Sequence, residues 1–230
     1  MTSLTLSLIK TKAKAGITHF TISLLIFCFV VAWVYFFAYP DVYFTMAGAI
    51  QGLTLVFLID VVLGPLLSFL VYNPAKPKKE IISDFVIIGA VQIAALAYGL
   101  TTLYKEQPQA VIIYPKSSAT VINKREMTDF ELGELSQYEK LGKLPAAVYT
   151  PDRKHSYQSM LQSLDVIKET DLANRRTLAQ NMDDSAVLQS LEKQYGKLYI
   201  LSVMAKYNGA YFALDEDFNL VAKFGEKPIS

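Results

Sequence analysis

The residue with the most chemistry to offer here is an aspartate in the middle of an apolar stretch. Gly52 to Tyr72 reads GLTLVFLIDVVLGPLLSFLVY, and Asp60 is its only charged residue. At about 1.5 Å rise per residue, a helix of this length spans the hydrocarbon core of a bilayer. An ionised carboxylate at that depth costs at least about 3 kcal/mol, so an acid there calls for a functional or structural reason. Four residues on, Gly64 and Pro65 mark a bend where a helix loses a backbone hydrogen bond. A second polar residue, Gln92, lies near the centre of a later apolar stretch, Ile81 to Tyr104. Asp60 is twelve residues from Tyr72, about 18 Å along a helix, and Gln92 is eleven from Ile81, about 16 Å. Antiparallel neighbours bring the two to one level, which makes Gln92 the expected partner of Asp60. Gly48 and Gly52 add a small-xxx-small spacing that lets two helices approach closely. Together Asp60, Gln92, Gly48, Gly52, Gly64 and Pro65 are expected to form an intramembrane helix-contact site. Two roles for Asp60 fit: a protonated strut within the bundle, or a contact for another helix.

The elements that position these residues follow from composition. Of 230 residues, 52% are hydrophobic and 19% charged, and the apolar excess lies before residue 105. That is too apolar for an ordinary soluble domain and too charged for a chain wholly in the membrane. Three transmembrane helices are expected, over about 20–39, 44–72 and 81–104. Residues 1–19 form a cytoplasmic N-terminus and 105–230 a periplasmic α+β domain. The first apolar run is too long and too aromatic at its exit for a cleaved signal peptide. Trp33, Tyr35, Phe36, Phe37, Tyr39, Tyr43 and Phe44 read as an interfacial aromatic belt. Ser83 or Asp84 is expected to cap the third helix. Lys10, Lys12, Lys14, Lys76, Lys78 and Lys79 flank the helices on one side and the first loop has no basic residue. By the positive-inside rule the N-terminus and the 73–80 loop are cytoplasmic.

The C-terminal domain is expected to begin with strands over 109–114 and 119–123. A helix follows, capped by a Thr128/Glu131 box with Met127 and Leu132 as staple. A strand over 146–150, a helix from Asp152 to about Leu164 and one from Asp183 or Asp184 to about Tyr195 come next. A strand from Lys197 to Tyr207 meets Asn208-Gly209, the strongest short hairpin signal. That turn pairs Tyr207 with Ala210, Ala205 with Phe212 and Val203 with Leu214. A further strand, alternating Phe218, Leu220, Ala222 and Phe224, completes an antiparallel meander.

The search for other chemistry returns little. The single cysteine, Cys28, allows no intrachain disulfide. No GxSxG, HExxH, P-loop, CxxC or GxGxxG is present. His19 reads as interfacial, and His155 belongs to the other compartment. An intramembrane aspartyl dyad needs two acids at one level, and only Asp60 lies at mid-membrane depth. Arg175-Arg176 and Asp183-Asp184 read as solvated surface. The outer domain is near neutral and presents no field for nucleic acid. No enzyme, cofactor, metal or small-molecule substrate is expected.

The stretch Asp60-Val61-Val62-Leu63-Gly64-Pro65-Leu66-Leu67, the lysine loop NPAKPKKE after it, and Gln92, Ala95, Leu96, Tyr98 and Gly99 resemble the type IV pilin accessory proteins of the TfpX/TfpZ (FimB) type. The likeness covers about the first 110 residues well. Two positions depart from it: Ser83 stands where the family often has a basic residue, and Gln107 precedes Pro108 where it often has arginine. The resemblance implies an inner-membrane protein, in contact with lipid, that helps a cognate pilin assemble into fibres. The alternative reading is a membrane-anchored periplasmic sensor or ligand-binding protein.

Overall fold

The computed structural model describes residues 3–114, 118–151, 156, 160–169 and 181–228. The chain divides into two units, a helical one of Met1–Phe37 with Ile50–Tyr104 and an α/β one of Ala38–Ala49 with Lys105–Ser230. The α/β unit therefore takes in a short stretch, 38–49, that the hydropathy pattern assigns to the helices.

In the helical unit, α1 spans Ser3–Trp33 and runs into a π-helical turn, Val34–Ala38. The next helix in the chain, the short α2, Tyr43–Met46, lies in the 38–49 stretch. The second rod of the helical unit is built of α3, Ala49–Val56, a π-helical segment, Phe57–Leu63, and α4, Gly64–Val71. The last is α5, Lys78–Glu106. Among the described residues, Ser7–Ala38, Ala49–Val71 and Lys78–Glu106 are long and apolar enough to cross a membrane. Ile82, Val86, Ile87, Val91, Ile93 and Tyr98 stand exposed along α5. An aqueous surface rarely carries so large an apolar face, whereas a lipid-facing helix requires one.

Two boundaries differ from expectation. Lys10, Lys12 and Lys14 lie within α1, so the helix starts well before residue 20. Lys12 Nζ donates to the Leu70 carbonyl at 3.2 Å, satisfying an acceptor that the end of α4 leaves free. The third helix starts at Lys78, so neither Ser83 nor Asp84 caps it. Asp84 instead takes an ion pair from Lys76 at 2.7 Å. Close helix approach is arranged by glycines. A Cβ on Gly16 would lie 3.2 Å from the Pro65 carbonyl oxygen and 3.3 Å from Phe69 Cβ. A Cβ on Gly52 would lie 2.4 Å from Leu103, and one on Gly99 3.0 Å from Val56.

The α/β unit is organised by one mixed sheet. Its strands are β1 Pro108–Tyr114, β2 Ser118–Asn123, β3 Lys140–Leu141, β4 Leu144–Tyr149, β5 Leu161–Gln162, β6 Tyr199–Met204, β7 Asn208–Leu214 and β8 Leu220–Pro228. The order is β3-β4-β1-β2-β6-β7-β8, with β5 on β4. β1/β4 and β2/β6 are parallel, and the remaining pairs are antiparallel. The expected meander is present as β6-β7-β8, set in a larger mixed sheet. In β1, Ala110, Val111, Ile112 and Ile113 are all fully buried, because both faces of this central strand are covered.

Helix caps fall earlier than the sequence pattern suggests. β2 leads straight into α6, Lys124–Asp129, and the capping box is Asn123 with Glu126, each side chain accepting the other's backbone N–H at 2.9 Å. Thr128 thus ends the helix rather than starting it, and Glu131 takes a left-handed φ of 52°. α7, Met182–Tyr195, places Leu188 on Leu198, Ile200, Ala213 and Phe224. It is capped by Asn181, whose side chain accepts from the N–H groups of Asp183 and Asp184. Of the helix expected from Asp152, residues 152–155 and 157–159 lie outside the described residues, as do His155 and Arg175-Arg176. Its C-terminal part is β5, which pairs Leu161 with Tyr149 and buries Leu161.

The hairpin register shows why 38–49 belongs to this unit. β6 and β7 pair Val203 with Ala210 and Met204 with Gly209, so Asn208-Gly209 starts a strand and is not the turn. Val203 meets Ala210 where Leu214 was expected, a slip of four residues. An even slip keeps each side chain on its face, so Leu201, Val203, Ala210, Phe212 and Leu214 stay buried. The cause is backbone competition. The Tyr207 N–H donates to the Met46 carbonyl at 3.2 Å, and Asn208 Nδ2 donates to the Thr45 carbonyl at 3.2 Å. Asn208 also donates to Glu226, which Lys223 and the Thr45 hydroxyl reach too. Burial alone would raise the Glu226 carboxyl, but these hydrogen bonds and the Lys223 charge outweigh it and hold it below the usual range.

Candidate functional site

Asp60 lies in the π-helical segment, where each N–H reaches back five residues rather than four. The Gly64 N–H follows that pattern and donates to the Ile59 carbonyl. The next N–H in the register belongs to position 65 and would serve the Asp60 carbonyl. Proline has none, so that carbonyl needs a donor from elsewhere. Gln92 Nε2 of α5 supplies it at 3.5 Å. The level match between Asp60 and Gln92 is thus met through the main chain, and not through the carboxylate. A glycine at 64 makes the approach possible: a Cβ there would sit 1.8 Å from Gln92 Nε2.

A Cβ on Gly64 would also lie 3.2 Å from His19 Nε2 of α1. The His19 ring bonds through Nδ1 to the Ser68 hydroxyl at 2.5 Å, one turn beyond Gly64, and Ser68 is fully buried. All three helices of the unit therefore contribute a polar side chain here. Asp60 is only 8% exposed, and its Oδ1 has no hydrogen-bond partner among the described residues. A buried acceptor left unpaired costs about 1–3 kcal/mol.

Of the expected site, the structure brings together Asp60, Gln92, Gly64 and Pro65. Gly52 is spent on packing α3 against Leu103 of α5. Gly48 is not in the helix at all. It has φ 101° and belongs to the α/β unit, where a Cβ would lie 2.5 Å from the Tyr207 ring. Gly48 and Gly52 therefore do not share one helix, since α3 begins at Ala49. His19 and Ser68 were missed. A signal for Ser68 existed in its spacing of four from Gly64, which puts both on one helix face. A signal for His19 existed once α1 was extended back through the lysines.

The cluster gathers hydrogen-bonding side chains in an apolar setting. It contains the residue types of a Ser-His-Asp triad, but no hydrogen bond or ion pair joins His19 to the Asp60 carboxylate among the described residues. The chain of nucleophile, base and orienting acid is not assembled. Among the described residues no group of three or more His, Cys, Asp or Glu is placed to hold a metal ion.

Comparison with known proteins gives a consistent result. The chain is 31% identical over 168 residues to the fimbrial assembly protein of serogroup I of Dichelobacter nodosus, covering 70% of this chain and 65% of that protein. It is 30% identical over 168 residues to the serogroup E1 protein of the same organism, with the same coverage. Against the fimbrial assembly protein of serogroups C1 and C2 it is 35% identical over 125 residues, 54% of this chain and 92% of that protein. The chain spans 65% of the length of the first two relatives. No family profile and no solved structure matches it. The identity sustained over nearly the whole of the third relative places this chain in the fimbrial assembly protein family.

Proposed function

We propose that this chain is an inner-membrane accessory factor of the TfpX/TfpZ type, which promotes assembly of a cognate type IV pilin by helix contact at Asp60. The observation that carries the reading is the buried Asp60 Oδ1, without a partner among the described residues. The oxygen is enclosed by the bundle, so a partner helix brings it a donor, and offsets its cost, only as the bundle opens to admit that helix. A pilin waiting in the membrane is a single apolar helix and fits that description. The α/β unit then faces the periplasmic part of the same pilin. Lys10, Lys12, Lys14, Lys76, Lys78 and Lys79 support a cytoplasmic start of α1 and a cytoplasmic 73–80 loop. A reporter active only in the periplasm should work after Ser230 and be silent in the 73–80 loop, and the reverse pattern would sink the orientation.

The two roles of Asp60 separate cleanly by mutation. The hydrogen bond from Gln92 goes to the Asp60 main chain, so it survives any side-chain change at 60. Asp60→Asn and Asp60→Leu are therefore both expected to accumulate normally and to lose surface pili. A strut predicts the opposite split, with Asn silent and Leu depleted from the membrane. Immunoblotting of membranes together with counts of surface pili decides between them.

A further inference from the structure

Opening the bundle at Asp60 requires one helix to give way, and the two seams of the second rod are held differently. Against α1 the seam is closed along its length. Gly16, Ser23 and Val30 of α1, seven residues apart, are all buried. The Phe27 and Phe57 rings lie 5.3 Å apart, His19 bonds to Ser68, and Lys12 donates to the Leu70 carbonyl. Against α5 the seam is closed at one end. There a Cβ on Gly52 would lie 2.4 Å from Leu103 and one on Gly99 3.0 Å from Val56, and Leu103 is the one buried residue among those described in α5. Toward the other end Ile81, Phe85, Ile88, Gln92 and Ala95 follow one face at spacings of three and four, yet each is only half-buried. Gly89 stands among them, and a Cβ there would meet nothing within 4 Å.

The looser arm of α5 is held to the second rod by little. The Phe85 and Tyr72 rings meet edge-on at 6.1 Å. Gln92 Nε2 reaches the Asp60 carbonyl at 3.5 Å, longer than the usual N–H···O separation of about 2.7–3.2 Å. The Lys76–Asp84 ion pair ties the connecting loop to α5 itself and not to the rod. Lipid tails are as apolar as the side chains they would replace, so no hydrophobic force resists parting such a seam. The six residues 72–77 between α4 and α5 stretch to about 20 Å and leave the arm room to move. We propose that α5 is a lever, pivoting on its Leu103 end and latched to the Asp60 carbonyl by Gln92, whose 78–96 arm swings aside to admit the pilus subunit's helix. The proposal rests on the pilus-assembly reading and adds the moving part which that reading needs. When Gln92 leaves, the Asp60 carbonyl loses its donor, so the incoming helix meets two unpaired acceptors on one residue.

The test is electron spin resonance on the full chain in lipid vesicles, with Cys28→Ser removing the native thiol. Spin labels at Leu67→Cys and Val86→Cys, both exposed, report the arm, and labels at Leu55→Cys and Tyr98→Cys, also exposed, report the pivot end. Gln92→Ala, with no pilin present, should lengthen the Leu67–Val86 separation and leave the Leu55–Tyr98 separation unchanged. Purified cognate pilin in the same vesicles should do the same to the chain that keeps Gln92. An unchanged Leu67–Val86 separation in Gln92→Ala, or both separations lengthening together, overturns the lever whatever the pilin does. Lengthening in Gln92→Ala but none on adding pilin overturns its role in admitting the pilin helix. If pili still vanish in Asp60→Asn under those outcomes, the pilus-assembly reading survives and only the lever fails. Wild-type piliation in both Asp60 variants removes the reading itself.

Discussion

Replacing Tyr43 by alanine should destabilise the α/β unit by about 3–5 kcal/mol, a large share of the roughly 5–15 kcal/mol that holds a typical domain. Tyr43 opens α2 and is fully buried. Its ring lies 6.0 Å from that of Phe212 on the central part of the sheet. Its hydroxyl donates to the Leu141 carbonyl at 2.7 Å, 98 residues away in the chain. Truncation removes the aromatic packing, opens a cavity and orphans that carbonyl. Tyr43→Phe keeps the ring and loses only the bond, so about 1 kcal/mol is expected. Pulse proteolysis of the full chain across a urea series reads both changes. Equal stability of wild type and Tyr43→Ala would mean that the 38–49 stretch is not part of this core. The same logic forecasts that residues 105–230 expressed alone lack a structural element, since Tyr39, Tyr43 and Met46 are all fully buried.

Gly64→Leu is expected to dismantle the polar cluster of the helical unit and to deplete the protein from membranes. A Cβ at this position meets Gln92 at 1.8 Å and 2.9 Å and His19 at 3.2 Å, in a site where α1, the second rod and α5 all converge. The Gln92 side chain must swing away, which leaves the Asp60 carbonyl with neither Pro65 nor Gln92 as donor. Overpacking contributes about 1–3 kcal/mol, and the unpaired carbonyl a similar amount. Gly64→Ala tests the smaller step: its Cβ already displaces the Gln92 amide from the Asp60 carbonyl but adds no further bulk, so a smaller loss of abundance is expected. Gly89→Leu is the control, because a Cβ on Gly89 meets nothing within 4 Å. Equal abundance of the two leucine variants would show that Gly64 is not at a helix crossing.

Local pattern was enough for the features that depend on neighbours in sequence. Three apolar runs specify three long helices whatever they pack on, because a helix satisfies its backbone hydrogen bonds within its own segment. The strand parity of the C-terminal meander was legible for the same reason, since alternation sets the faces before any register is chosen. Asp60 and Gln92 stood at one level because helical rise is constant. Beyond that the tertiary structure decided. Tyr39 and Tyr43 read like Tyr35, Phe36 and Phe37, yet the last three are exposed and the first two are fully buried. Nothing local distinguishes Tyr43, because the difference is made by Phe212 and Leu141, far along the chain. The hairpin register turned on carbonyls of Thr45 and Met46 that a reading of residues 197–220 does not contain. His19 came to Ser68 and Gly64 for a like reason. A π-helical segment and a proline left one main-chain carbonyl free at Asp60, and the glycines at 16 and 64 let α1 and α5 approach the second rod closely, so that Gln92 meets it. Composition determines which residues must leave water, but which of them meet is settled by long-range contacts that single-residue propensities do not carry.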